Sequence, residues 1–110
     1  MDTGQLTKRA TLLEPVEDRD RDGRIVQGWM VRGTVWCNWA PRRGGESVMQ
    51  ARIESRNPAI ITLRASGLTR SITSEWRARI DGREYDVKEE PQETPDRAFL
   101  QFYAETRGRA

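Results

Sequence analysis

Histidine is absent from this 110-residue chain, and cysteine occurs once. Without histidine there is no imidazole base, no Ser-His triad and no His-ligated metal. A single thiol excludes an internal disulfide and a site built from several thiolates. Neither a P-loop nor a dinucleotide-binding glycine motif occurs. We therefore expect no catalytic residues, no metal and no cofactor, and a protein that is not an enzyme.

Long apolar runs are also missing. No stretch approaches the roughly 18 apolar residues of a membrane-spanning helix, so no membrane association is expected. The opening residues MDTGQLTKRATLL lack the apolar centre of a secretory signal, and the lone cysteine suits a reducing compartment. With 35% hydrophobic and 33% charged residues, the sequence predicts one domain over residues 1–110 with a thin core.

Lysine is scarce, and most of the positive charge is arginine. The formal net charge is only +2, and arginines alternate with acidic residues in the runs EDRDRDGR and DGREYDVKEE. A strong nucleic-acid binder usually carries a clustered basic excess. This mixed pattern is more typical of a solvated surface, and genomic composition explains the arginine bias.

The organising stretch is residues 25–41, IVQGWMVRGTVWCNWAP, which holds three of the four tryptophans. Side chains on a strand alternate between its faces. The odd positions from Ile25 to Trp39 are mostly apolar, and we expect them to face a core. Trp36 falls on the opposite face, where it either covers a second side of the fold or anchors a contact with another subunit.

Further strands follow the same alternation. The clearest is WRARI-DG-REYDV, whose Asp81-Gly82 pair suits a type I′ turn and places Trp76, Ala78, Ile80, Tyr85 and Val87 on one face. Other strands are predicted over residues 7–16, 58–65 and 97–105. The last has apolar side chains on both faces, with Phe99 and Tyr103 on the second. Six strands predict an all-β protein, a small antiparallel barrel or sandwich.

The run from residue 42 to residue 57, RRGGESVMQARIESRN, breaks this pattern. It begins with a basic glycine-rich turn and allows a short helix over about residues 46–55, held by Val48, Met49 and Ile53. A connection of this length in a small domain usually forms a binding loop or is disordered. We expect it to be the main functional feature.

The order of these features resembles the head-tail joining, or head completion, proteins of tailed bacteriophages and phage-like particles. The residues that carry the resemblance run over nearly the whole chain: Gly4, Leu6, Arg9, Thr11, Leu12 and Pro15; Trp29, Val35, Trp36, Trp39 and Pro41; Gly45, Glu46 and Ala51; Ile61 to Arg64; and Asp81 to Val87.

The resemblance implies a structural connector in the neck of a virion or phage-like particle, assembled in the bacterial cytoplasm. Subunits of the family form a ring, here expected to be a dodecamer, between the portal or adaptor and the tail terminator or tail tube. The long loop would face packaged double-stranded DNA in the channel through Arg42, Arg43, Glu46, Arg52 and Arg56. The outward aromatic residues Trp36, Phe99 and Tyr103 would contact neighbouring subunits.

A second interpretation belongs to a different class. A small barrel of the OB type binds single-stranded nucleic acid through exposed aromatic and basic side chains. Tight, salt-dependent binding by the isolated monomer would favour this interpretation over a connector subunit.

Overall fold

Antiparallel strands form most of the fold in the computed structural model, which describes residues 3–42, 44–53 and 56–106. The strands are β1 (Lys8–Arg19), β2 (Ile25–Pro41), β3 (Pro58–Arg64), β4 (Arg77–Ile80), β5 (Arg83–Val87), β6 (Gln92–Glu93) and β7 (Phe99–Thr106). One α-helix, α1 (Glu46–Ile53), connects β2 to β3, and short 3-10 turns cover Thr3–Gln5 and Thr69–Ser71.

The sheet closes on itself. Its strand order is β3-β2-β1-β4-β5-β7, and β3 pairs again with β7, so six strands form a barrel. The predicted all-β antiparallel class and the six main strands are confirmed. β6 was not predicted; it pairs with β7 through two residues only, too few to show an alternating pattern.

The β4–β5 hairpin matches the sequence prediction. Ala78 pairs with Tyr85 and Ile80 with Arg83. The turn residues Asp81 and Gly82 have φ angles of 52° and 76°, as a type I′ turn requires. All five side chains predicted to share one face are buried, and all belong to the core cluster.

The prediction for β2 is only half right. Val35, Cys37 and Trp39 do face the core, but Ile25 and Val31 are 62% and 59% exposed. The pairing between β1 and β2 shifts between Leu12 and Leu13, which leaves one unpaired residue in β2. Such a bulge moves the following side chains to the other face, so strict alternation across residue 32 fails.

Trp29 departs from the prediction for the same reason. It lies outside the core cluster, and its ring is covered by the guanidinium of Arg77 at 3.9 Å from the ring centre.

β1 and β2 continue beyond the barrel as a two-stranded extension. β4 pairs with β1 only over residues 10–13, and β3 pairs with β2 only over residues 37–41. From Glu14–Met30 to Arg19–Ile25, the two strands pair with each other alone. We call residues 14–31 the hairpin arm. The radius of gyration, 14.8 Å, is larger than the roughly 13 Å of a compact domain of about 100 residues.

Helix α1 is confirmed, but its anchoring residues differ from those expected. Val48 and Ala51 are buried, whereas Met49 and Ile53 are 64% and 73% exposed. The helix lies against β3, and its buried residues Val48 and Ala51 face the body of the protein.

Candidate subunit and DNA interfaces

The two ends of the connection between β2 and β3 are held close together. The backbone N–H of Arg42 donates to the carbonyl of Pro58 at 3.1 Å. On the other side, the backbone N–H of Asn57 donates to Oγ1 of Thr106 at 2.9 Å. The connection therefore begins and ends at fixed points on the barrel.

A buried carboxylate lies beneath these ends. Glu105 is 5% exposed, and its Oε1 is 2.6 Å from Nη1 of Arg56. The phenol of Tyr103 donates a hydrogen bond to the other oxygen of Glu105. Nζ of Lys88 lies 3.9 Å from Oε1, and the guanidinium of Arg42 stacks 4.3 Å from the centre of the Tyr103 ring. We call these five residues the Glu105 cluster.

The cluster changes the acidity of Tyr103. Burial first, and then the hydrogen bond to Glu105, raise the pKa of Tyr103 from 10.0 to about 12. Both effects disfavour a phenolate, the first by removing water and the second by placing a negative carboxylate beside it. Tyr103 therefore remains a neutral donor to Glu105 throughout the physiological range.

Three residues predicted to face DNA or a neighbouring subunit thus meet in one place. Arg42, Arg56 and Tyr103 hold the two ends of the connection against β7. Sequence reasoning did not identify Glu105 and Lys88. A single glutamate near the end of a strand has no pattern that distinguishes it from a solvated residue, and its cationic partners Arg56 and Lys88 are 49 and 17 positions away.

The other predicted loop residues lie away from this base. Glu46 is exposed in the first turn of α1, where its charge is favourable to the helix dipole. Arg52 belongs to the last turn of α1. Arg43 lies outside the residues that the structure describes.

Trp36 borders an open groove of about 770 Å³, whose lining residues are Leu6, Thr7, Thr34, Val35, Trp36, Arg64 and Ser66. The Trp36 side chain is 53% exposed, and the guanidinium of Arg9 lies 5.0 Å from its ring centre. The groove lies where β3 ends and no other strand of the described residues pairs with that edge of β2. We call it the Trp36 groove.

Phe99, the third predicted contact residue, lies inside the subunit. It is 5% exposed, and the turn before it closes over the start of β7: the backbone N–H of Thr94 donates to the carbonyl of Phe99 at 2.9 Å. We therefore leave Phe99 out of the interface considered below.

Among the described residues, no group of three or more His, Cys, Asp or Glu side chains is arranged to hold a metal ion. Within the same part of the chain, no helix is long and apolar enough to cross a membrane. Cys37 is fully buried, and burial, followed by the nearby Asp81, raises the pKa of its thiol to about 11. A protonated buried thiol is a poor nucleophile.

A closed barrel with an extended arm, an anchored helical loop and an open groove defines a small β-barrel protein whose surfaces suit contacts with other macromolecules. The phage head completion protein family matches residues 1–107, and the chain belongs to this family. It is therefore a structural component of a phage or phage-like particle, a connector of the head.

Two solved structures share the fold. The solution structure of protein SF1141 from Shigella flexneri 2a has a TM-score of 0.73 at 19% identity, and the match covers 100% of both chains. A chain from the virion of a native gene transfer agent particle has a TM-score of 0.61 at 22% identity, with 91% of this chain and 93% of that chain covered. No curated protein sequence matches this chain.

Proposed function

We propose that this chain forms a ring, a dodecamer of identical subunits, between the portal or adaptor and the tail terminator or tail tube. The ring is assembled in the bacterial cytoplasm, helps to close the head channel, and catalyses no reaction. The family match over residues 1–107 carries the proposal. The similar fold of a chain in a gene transfer agent virion supports it.

The connection between β2 and β3 is the segment that we assign to the channel. The Glu105 cluster fixes its base, so α1 leaves the barrel from a rigid support. Arg43 and Arg52 lie between the two anchored ends, and we assign them to phosphate contacts with packaged DNA. Arginines contact phosphates without reading base sequence, which suits a channel that every DNA sequence must pass.

Arg42 and Arg56 have a different role in this proposal. Arg56 pairs with the buried Glu105, and Arg42 stacks on Tyr103. Both residues position the loop. Replacing either of them would therefore disturb the barrel as well as any contact with DNA.

The interpretation as a single-stranded nucleic-acid binder is not favoured. Such proteins stack successive bases on exposed aromatic rings. All four tryptophans, two tyrosines and two phenylalanines lie in the described residues, and only Trp36 among them is exposed. One ring does not form a stacking surface.

The DNA assignment is tested by reversing the two inner loop charges, Arg43→Glu together with Arg52→Glu, in particles assembled with the variant chain. We expect heads that package DNA and then lose it, measured as DNA per particle and as empty heads in electron micrographs. Arg83→Glu, at the exposed β4–β5 turn, is the matched control and should leave particles full. Full particles with the double variant would overturn the assignment of the loop.

A further inference from the structure

The hairpin arm carries apolar side chains that nothing in the described chain covers. Ile25 and Val31 are 62% and 59% exposed, and Val26 and Met30 are 40% and 48% exposed. Every residue from 17 to 27 is exposed. An isolated two-stranded ribbon is marginal in water, and a cluster of exposed apolar residues marks a contact surface.

The Trp36 groove lies at the opposite end of the same strand. Its apolar part consists of Leu6, Val35 and Trp36. Nδ2 of Asn38 donates to the carbonyl of Gln5 at 3.1 Å. This bond ties the segment before β1, which supplies Leu6 to the groove, to β2.

Among the described strands, none pairs with the edge of β2 beside the groove. β3 pairs with β2 only from Cys37 onward, so half of the backbone N–H and C=O groups between Ile25 and Trp36 point away from β1. Exposed edges of this kind accept an additional strand from another chain.

A subunit cannot fill its own groove with its own arm. Ile25 and Trp36 lie on one continuous strand and are separated by roughly 35 Å at about 3.3 Å per residue. The arm of a subunit is therefore too far away to cover the groove of the same subunit.

The charges of the two surfaces are complementary. The arm, residues 14–31, has five acidic residues and three arginines, a net charge of −2 within a chain of +2, which leaves +4 for the remainder. The groove is flanked by the exposed Arg9 and Arg64. An acidic arm is attracted to this basic rim, and opposite potentials favour one docking orientation.

We propose that the hairpin arm of one subunit docks in the Trp36 groove of the next copy of this chain and pairs with the free edge of β2. This inference rests on the ring of the proposed function. A ring needs two different complementary surfaces on each subunit, because its contacts are heterologous. The arm and the groove, at opposite ends of one strand, are these two surfaces.

Thiol cross-linking in assembled particles tests the contact. In a Cys37→Ala background, Gln27→Cys on the arm is combined with Thr34→Cys in the groove, and a short bismaleimide is added. We expect a ladder of covalent multimers that extends beyond the dimer, because each subunit links to two neighbours. Each single-cysteine variant should remain monomeric in a denaturing gel. Gln27→Cys with Thr7→Cys is a second arm–groove pair, in case one variant does not assemble.

The matched control is Thr34→Cys with Arg83→Cys, which has the groove thiol but places the second thiol on the β4–β5 turn; it should give no ladder. Rings in electron micrographs without a ladder from either arm–groove pair would overturn the arm contact and leave the ring intact. Cross-links to a different particle protein would also overturn it. Absence of rings altogether would overturn both this contact and the proposed function.

Discussion

Glu105 is the only charged residue that is buried among the side chains the structure describes. A buried charge is costly unless it is paired and hydrogen-bonded. Glu105 meets both conditions through Arg56 and Tyr103, with Lys88 at the edge. These contacts join the end of β7 to Arg56, the residue at which the connection between β2 and β3 returns to the barrel.

Replacing Arg56 with methionine should destabilise the fold. The change removes the closest cation from a carboxylate that remains buried, at a cost of about 1–3 kcal/mol. Urea unfolding would measure it as a lower midpoint. The matched control is Arg79→Met, which removes a pair at 3.5 Å between exposed side chains and should cost less than about 1 kcal/mol. Equal losses of unfolding free energy in the two variants would show that burial of Glu105 does not strengthen the effect of removing its partner.

The raised pKa of Tyr103 predicts that the stability of the fold decreases at high pH. This pKa is raised from 10.0 to about 12 in the folded chain, so the folded chain holds the phenol proton more tightly than the unfolded chain does. The contribution of Tyr103 to the free energy of unfolding is complete below about pH 10 and is lost as the pH rises towards about 12. Unfolding by urea across this range should show a steeper decline in the wild type than in Tyr103→Phe. Identical declines would contradict the raised pKa of Tyr103 in the folded chain.

Among the strands, features set by neighbouring residues were predicted from the sequence more completely than features set by distant contacts. The β4–β5 hairpin was predicted with its register because its turn residues and its alternation lie within a dozen positions. Gly28 and Gly33 already marked β2 as a strand with bends or bulges, and the bulge lies beside Gly33; the change of buried face that it causes was not predicted. At the bulge, a Cβ on residue 33 would lie 2.8 Å from Cδ2 of Leu68, so the glycine lets β2 pass close to a residue that is far away in the sequence.

The turn of the β4–β5 hairpin gives a test at this scale. Gly82→Ala forces a side chain into a residue with φ of +76°, which should cost about 1–2 kcal/mol. Gly67→Ala, at a position where a new Cβ meets no atom within 4 Å, should change stability by no more than about 0.5 kcal/mol. Thermal unfolding of both variants would compare them. If Gly82→Ala were as stable as Gly67→Ala, the type I′ geometry would be wrong.

At the scale of the whole molecule, folding and assembly use different aromatic residues. Trp76 is 5% exposed and belongs to the core, whereas Trp36 is 53% exposed. The body of the subunit is therefore complete without Trp36. The connector role proposed above places the outward aromatic residue, the free edge of β2 and the arm in contacts between subunits.

The two tryptophans allow these roles to be separated. Trp36→Ala should change the free energy of unfolding of the monomer by less than about 1 kcal/mol, chiefly through the lost stacking with Arg9, and should impair ring assembly. Trp76→Ala should destabilise the monomer by about 3–5 kcal/mol. Denaturant unfolding and the mass of assembled species by light scattering would measure the two effects. Normal assembly of Trp36→Ala would contradict its place in the interface.

The all-β class, the six main strands, the position of α1 and the family resemblance could all be predicted from the sequence. Alternation and turn residues are short-range signals, and the family match over residues 1–107 confirms the resemblance. The face of β2 that is buried on each side of the bulge became clear from the three-dimensional fold alone. The fold also showed that Arg42 and Arg56 hold the base of the loop around Glu105. Both results depend on contacts between residues far apart in the chain, and a periodic pattern along one strand contains no information about them.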